Sequence, residues 1–121
     1  MKQILSNDII NQYMPTLVKC PLFNTLGEPE LRGYLNNAKV IIHSYKKNDF
    51  IALAGDPMEG IGVILEGSAL LTRENVMGQR VIMANLEQSD IFGEALLFSK
   101  QPLWPATIKA TKATKIMFIP L

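Results

Sequence analysis

The sequence predicts a mainly β domain, a small antiparallel roll or sandwich preceded by helix, and three observations carry that prediction. Apolar residues alternate with period two from Val40 onward. Turn residues at Gly55-Asp56-Pro57, Gly67 and Gly78 interrupt the alternation at short, regular intervals. Before Val40 the spacing is helical instead. A chain of 121 residues that is 48% hydrophobic and 19% charged can build one domain with a core of its own, far from the composition of a disordered chain.

The elements follow in order. The first third reads as helical, with residues 1–21 taken as an N-terminal extension and 22–121 as the domain proper. Gly27-Glu28-Pro29 is a helix entry, with proline in the first turn and acidic side chains at the positive end of the dipole. Leu31, Tyr34 and Leu35 then form one apolar stripe up to about Ala38. Strands are expected over Val40–Tyr45 and Phe50–Leu53, joined by the polar turn Lys46–Asp49, in which Asn48 tolerates a left-handed backbone. Gly55-Asp56-Pro57 turns the chain into the strand carrying Ile61, Val63 and Leu65. Gly67 separates that strand from Ala69-Leu70-Leu71, and the turn Glu74–Gln79 leads to a strand from Val81 to Leu86. After a short Phe92–Phe98 segment, Ala106–Ala110 and Lys115–Pro120 complete the set.

Charge and cysteine content exclude several function classes. Twelve Lys and Arg against eleven Asp and Glu give a formal charge of +1, too little to hold a nucleic-acid backbone. Cys20, the single cysteine, can neither close an intramolecular disulfide nor supply a four-thiolate zinc or iron–sulfur site, which suits a reducing, cytoplasmic setting. Glu66, Arg73 and Glu74 interrupt the most apolar region, so no membrane span is expected, and the polar Ser6-Asn7-Asp8 argues against a secretory signal. His43, the one histidine, reads as a surface or half-buried strand residue, and the methionines read as core and loop fillers. Lys109, Lys112 and Lys115 fall among β-branched residues and belong to a solvated strand face and its turn.

The strand pattern breaks for something specific at Asp90-Ile91-Phe92-Gly93-Glu94-Ala95-Leu96-Leu97. A glycine before a short apolar helix lets backbone N–H groups converge on an anion, and Glu94 adds a carboxylate acceptor suited to a ligand hydroxyl.

Taken in order, Tyr45-Lys46-Lys47, Gly55-Asp56-Pro57, Ile64-Leu65-Glu66-Gly67, Phe92-Gly93-Glu94, Pro105-Ala106-Thr107 and Ile119-Pro120 resemble the cyclic-nucleotide-binding sensor domain of the Crp/Fnr transcription regulators, from about Leu22 to Leu121. The resemblance implies a double-stranded, jelly-roll-like β-roll with flanking helices. It also implies a small-molecule effector rather than catalysis, no resident cofactor or metal, and no membrane. In the family a dimerisation helix and a helix-turn-helix domain follow the roll, so contact with DNA and a homodimer are expected of the full-length protein. Both elements are expected to lie outside this chain.

The resemblance further implies an effector pocket at Phe92, Gly93, Glu94, Ala95, Leu96, Trp104, Pro105 and Ala106. Nucleotide-binding members place an Arg and then a Ser or Thr where this chain has Trp104 and Pro105. Trp offers one N–H and no charge, and Pro offers no donor, so a loss of about 1.5–3 kcal/mol on a phosphate is expected and cyclic AMP is not the anticipated effector. Trp104 is open to two readings: it walls the pocket and stacks on a planar effector, or it fills the space of an absent nucleotide and leaves a ligand-free structural module. Cupin-type metal enzymes share the roll shape but need clustered histidine and carboxylate ligands, which one histidine does not supply. Haem ligation remains a lesser alternative.

Overall fold

The computed structural model describes residues 2–4, 6–94, 100 and 102–120. Nine strands form two antiparallel sheets among these residues: β1 Lys2–Ile4, β2 Ile41–Tyr45, β3 Phe50–Ala52, β4 Gly60–Glu66, β5 Ser68–Glu74, β6 Arg80–Glu87, β7 Ile91–Phe92, β8 Thr107–Ala110 and β9 Thr114–Pro120. One sheet has the order β1-β2-β9-β4-β7 and the other β3-β8-β5-β6. Helices α1 (Asn7–Leu17) and α2 (Glu28–Asn37) precede the roll. The mainly β, two-sheet roll with flanking helices is the fold the sequence predicts.

The sheets and helices enclose two apolar layers. Ile64 of β4 and Ile116 of β9 point between the sheets, where they meet Ala52, Met58, Ala69, Leu86, Phe92, Trp104 and Ile108. Their neighbours Val63, Leu65, Met117 and Ile119 point the other way, against α1 and α2. A strand buried on both faces has no polar side to show, which is why β4 reads Gly-Ile-Gly-Val-Ile-Leu with no hydrophilic alternation.

The segment 1–21 joins this architecture through β1, which pairs with β2, and through α1. Ile10, Tyr13, Met14 and Leu17 of α1 recur at helical spacing and are buried with Leu31 and Leu35 of α2. Ser6 caps α1 by accepting from the Ile9 N–H at 3.3 Å, and the Tyr13 hydroxyl donates to Glu66 at 3.2 Å. Asn48 has φ +74° in the β2–β3 turn, the left-handed conformation that asparagine accepts at low cost.

Two crossings between the sheets meet at one hydroxyl. The chain crosses from the five-stranded sheet to the four-stranded one at Gly67, and its last crossing back, from β8 to β9, ends at Thr114. The Thr114 hydroxyl is buried, accepts from the Ser68 N–H at 3.2 Å, and lies 2.8 Å from the Lys112 carbonyl and 3.1 Å from that of Ser68. Thr114→Val leaves the Ser68 amide unpaired and is expected to lower unfolding free energy by about 1–3 kcal/mol in urea titration, whereas Thr114→Ser keeps most of it.

A second constraint is steric. Gly62 faces Phe92 across the β4–β7 pairing, and a β-carbon at Gly62 would overlap the Phe92 ring. Gly62→Ala is expected to cost about 1–3 kcal/mol through overpacking, and Phe92→Leu in the same chain to recover part of it. A double-mutant cycle by thermal unfolding measures the coupling; purely additive effects would mean that the ring does not rest on Gly62.

Candidate functional site

The site begins with the chain's return from the four-stranded sheet. Strand β6 ends in the turn Glu87–Asp90, where the Asp90 carboxylate accepts the Glu87 N–H at 2.7 Å. Ser89 (φ +74°) donates its N–H to the Ile64 carbonyl, and Ile64 donates to Asp90, each at 2.9 Å. This ladder delivers Phe92 onto Gly62, with its ring 6.0 Å from that of Phe118 in edge-on contact.

Gly93 follows with φ +92°, a conformation open to glycine and strained for other residues. A β-carbon there would stand 2.9 Å from Met58 Cε and 3.3 Å from Trp104 Cζ3, so the indole and the thioether close over its backbone. Glu94 is exposed and makes no hydrogen bond or ion pair among the described residues. Ala95 and Leu96, which the sequence assigns to the same pocket, lie outside the described residues.

Trp104 is fixed by its backbone as well as by its ring. Its N–H donates to the Asp56 carbonyl at 2.9 Å, and its own carbonyl accepts from the Gly55 N–H at 2.8 Å. Met58 donates to Pro102 at 2.9 Å, and Pro57 bridges Leu103, so residues 102–104 are stitched to the 55–58 turn. The side chain is 7% exposed, with its ring centroid 5.7 Å from that of Phe92. Pro105 is exposed and Ala106 is buried. The structure therefore brings together Phe92, Gly93 and Trp104, and leaves Glu94 and Pro105 on the surface.

Two cavities flank this cluster. One, of about 400 Å³, is lined by Pro105, Ala54, Thr72, Thr107 and the charged Arg73, Glu74 and Arg80. Neither guanidinium is held by a hydrogen bond or ion pair among the described residues. Nothing in the local sequence pattern marks these arginines as part of a site, because they approach Pro105 through the pairing of Thr72 with Thr107. The hairpin that joins β5 to β6 pairs Arg80 with Glu74.

The other cavity, of about 320 Å³, has Trp104 in its wall together with Tyr45, Phe50 and Phe118. Burial pushes the Tyr45 phenol up to about 12, and the carboxylates of Glu59 and Asp49 add to the shift. His43, half-buried, packs edge-on to Phe118 at 5.7 Å. Among the described residues no three His, Cys, Asp or Glu side chains converge as metal ligands would, and no helix is long and apolar enough to cross a membrane.

Comparison with known proteins bears on this arrangement. The cyclic nucleotide-binding domain model matches residues 42–121. The chain is 32% identical over 89 residues to the cAMP-activated global transcriptional regulator CRP of Pasteurella multocida, an alignment that covers 74% of this chain and 42% of that protein. The chain thus spans less than half the length of that relative. Its fold is that of the N-terminal domain of a transcriptional regulator from Streptomyces coelicolor (TM-score 0.76, 24% identity, 87% of this chain and 73% of that one). It is equally that of the sensor domain of the transcriptional regulator DNR from Pseudomonas aeruginosa (TM-score 0.78, 19% identity, 93% of this chain and 74% of that one). The chain belongs to the cyclic nucleotide-binding domain family.

Proposed function

We propose that this domain senses a small-molecule effector other than cyclic AMP or cyclic GMP, within a cytoplasmic, dimeric regulator that contacts DNA through a separate domain, and that it carries out no catalysis. The observation that carries the reading is Trp104. By resemblance it stands where nucleotide-binding members hold the cyclic phosphate with an arginine, and here its indole is buried on Phe92 and Gly93. Pro105 follows where a hydroxyl donor is expected and has no N–H to offer instead. Val81 and Met83 leave 42% and 53% of their surface exposed on the edge strand β6, apolar area that suits burial by further chain or a second subunit.

A second reading draws on the same residue. With Trp104 in the roll core, the domain is a structural module whose nucleotide space is filled and which takes no ligand there. The two readings separate on whether any metabolite class stabilises the fold.

Thermal unfolding with cyclic AMP or cyclic GMP in excess tests the first claim. A ligand at 100 times its Kd adds about 2.7 kcal/mol, which for a domain of this size raises the midpoint by on the order of 10 °C. The midpoint is expected to stay where it is with either nucleotide. A rise of several degrees would show that the cassette holds a cyclic phosphate despite Trp104 and Pro105.

A further inference from the structure

The 320 Å³ cavity shares Trp104 with the cassette, but among the described residues none of Phe92, Gly93, Glu94 and Pro105 lines it. Its walls combine aromatic rings with acids. Its lining includes the aromatic residues Tyr45, Phe50, Trp104 and Phe118 and the acidic residues Asp56 and Glu59. No lysine or arginine lines it. His43 completes the wall between Tyr45 and Phe118, with ring centroids 6.2 and 5.7 Å away.

We propose that this cavity binds a small organic cation, an alkylammonium or quaternary ammonium group, between the aromatic rings and the carboxylates of Asp56 and Glu59. The face of an aromatic ring is electronegative and attracts a cation without demanding hydrogen-bond donors from it. Four rings with two acids therefore select positive charge that is poorly hydrated, which is the property of an alkylated ammonium. A bare metal ion fits poorly, since two carboxylates leave most of its coordination to water. An anion meets two like charges.

Independent features agree. Lys109 already places its ammonium 5.7 Å from the Phe50 ring centroid, so a cation is accepted at the edge of the same wall. The negative field of Glu59 also reaches Tyr45, where it helps to hold the phenol in its neutral form. The volume suits a group of choline size with some water to spare.

The cavity is read directly by fluorescence, because Trp104 is the only tryptophan. Choline and its neutral carbon isostere 3,3-dimethylbutan-1-ol are titrated into the domain at pH about 8, above the ordinary histidine range. A saturable change with choline and none with the isostere is expected. Asp56 and Glu59 are exposed, and no side-chain hydrogen bond of theirs supports the fold among the described residues, so Asp56→Asn with Glu59→Gln is expected to fold normally and to weaken choline by about tenfold. An equal response to both compounds, no saturable response, or unchanged affinity in the double variant would overturn the assignment. A cyclic-nucleotide response in the preceding experiment would overturn only the reading of the cassette, since the residues substituted here do not belong to it.

Discussion

Strand β4 is buried on both faces, and most of the architecture answers to that constraint. Val63 and Leu65 must meet apolar partners on one side and Ile64 on the other, so the strand needs helices over one face and a second sheet over the other. Helices α1 and α2 cover the first, and the four-stranded sheet closes over the second. Backbone proximity adds to it: a β-carbon at Gly60 would collide with the Ile119 carbonyl, and one at Gly62 with Phe92. Large apolar residues and two glycines share β4 because the strand must fill space at some positions and yield it at others.

The candidate site is a consequence of how Phe92 reaches that strand. Pairing of Phe92 with Gly62 puts the ring inside the roll, next to the space that Trp104 occupies. An arginine at position 104 would present a guanidinium toward an anion; a tryptophan presents an apolar ring that gains by leaving water. The backbone bonds to Gly55 and Asp56 set where the main chain of residue 104 lies, whatever its side chain.

The roll was legible because its signals are local. Period-two alternation, the Gly55-Asp56-Pro57 turn and the left-handed Asn48 each act within a few residues. Helix α1 was less legible in detail: Pro15 stands within it, and its Ile10, Tyr13, Met14 and Leu17 acquire meaning only against α2 and the outer face of β4 and β9. At the site, Phe92, Gly93 and Trp104 were readable from motif order. The aromatic cavity was not, since Tyr45, Phe50, Trp104 and Phe118 are scattered over 74 positions of sequence and meet only after both sheets close. Contacts of that separation leave no periodic trace.

The site and the helical layer are also mechanically joined, through the turn that precedes β7. Gln88 donates to the Thr16 hydroxyl at 3.2 Å and to the Leu65 carbonyl at 3.1 Å, while the Ser89 hydroxyl donates to the Thr16 carbonyl at 2.9 Å. Thr16 lies in the last turn of α1, so the helix end, β4 and the turn are held as one unit three residues before Phe92. Phe92 in turn rests on Gly62, which cannot yield because the glycine already has no side chain to move. The Phe92 ring packs on Trp104 and Phe118, while the turn before it is tied to α1 through Gln88 and Ser89.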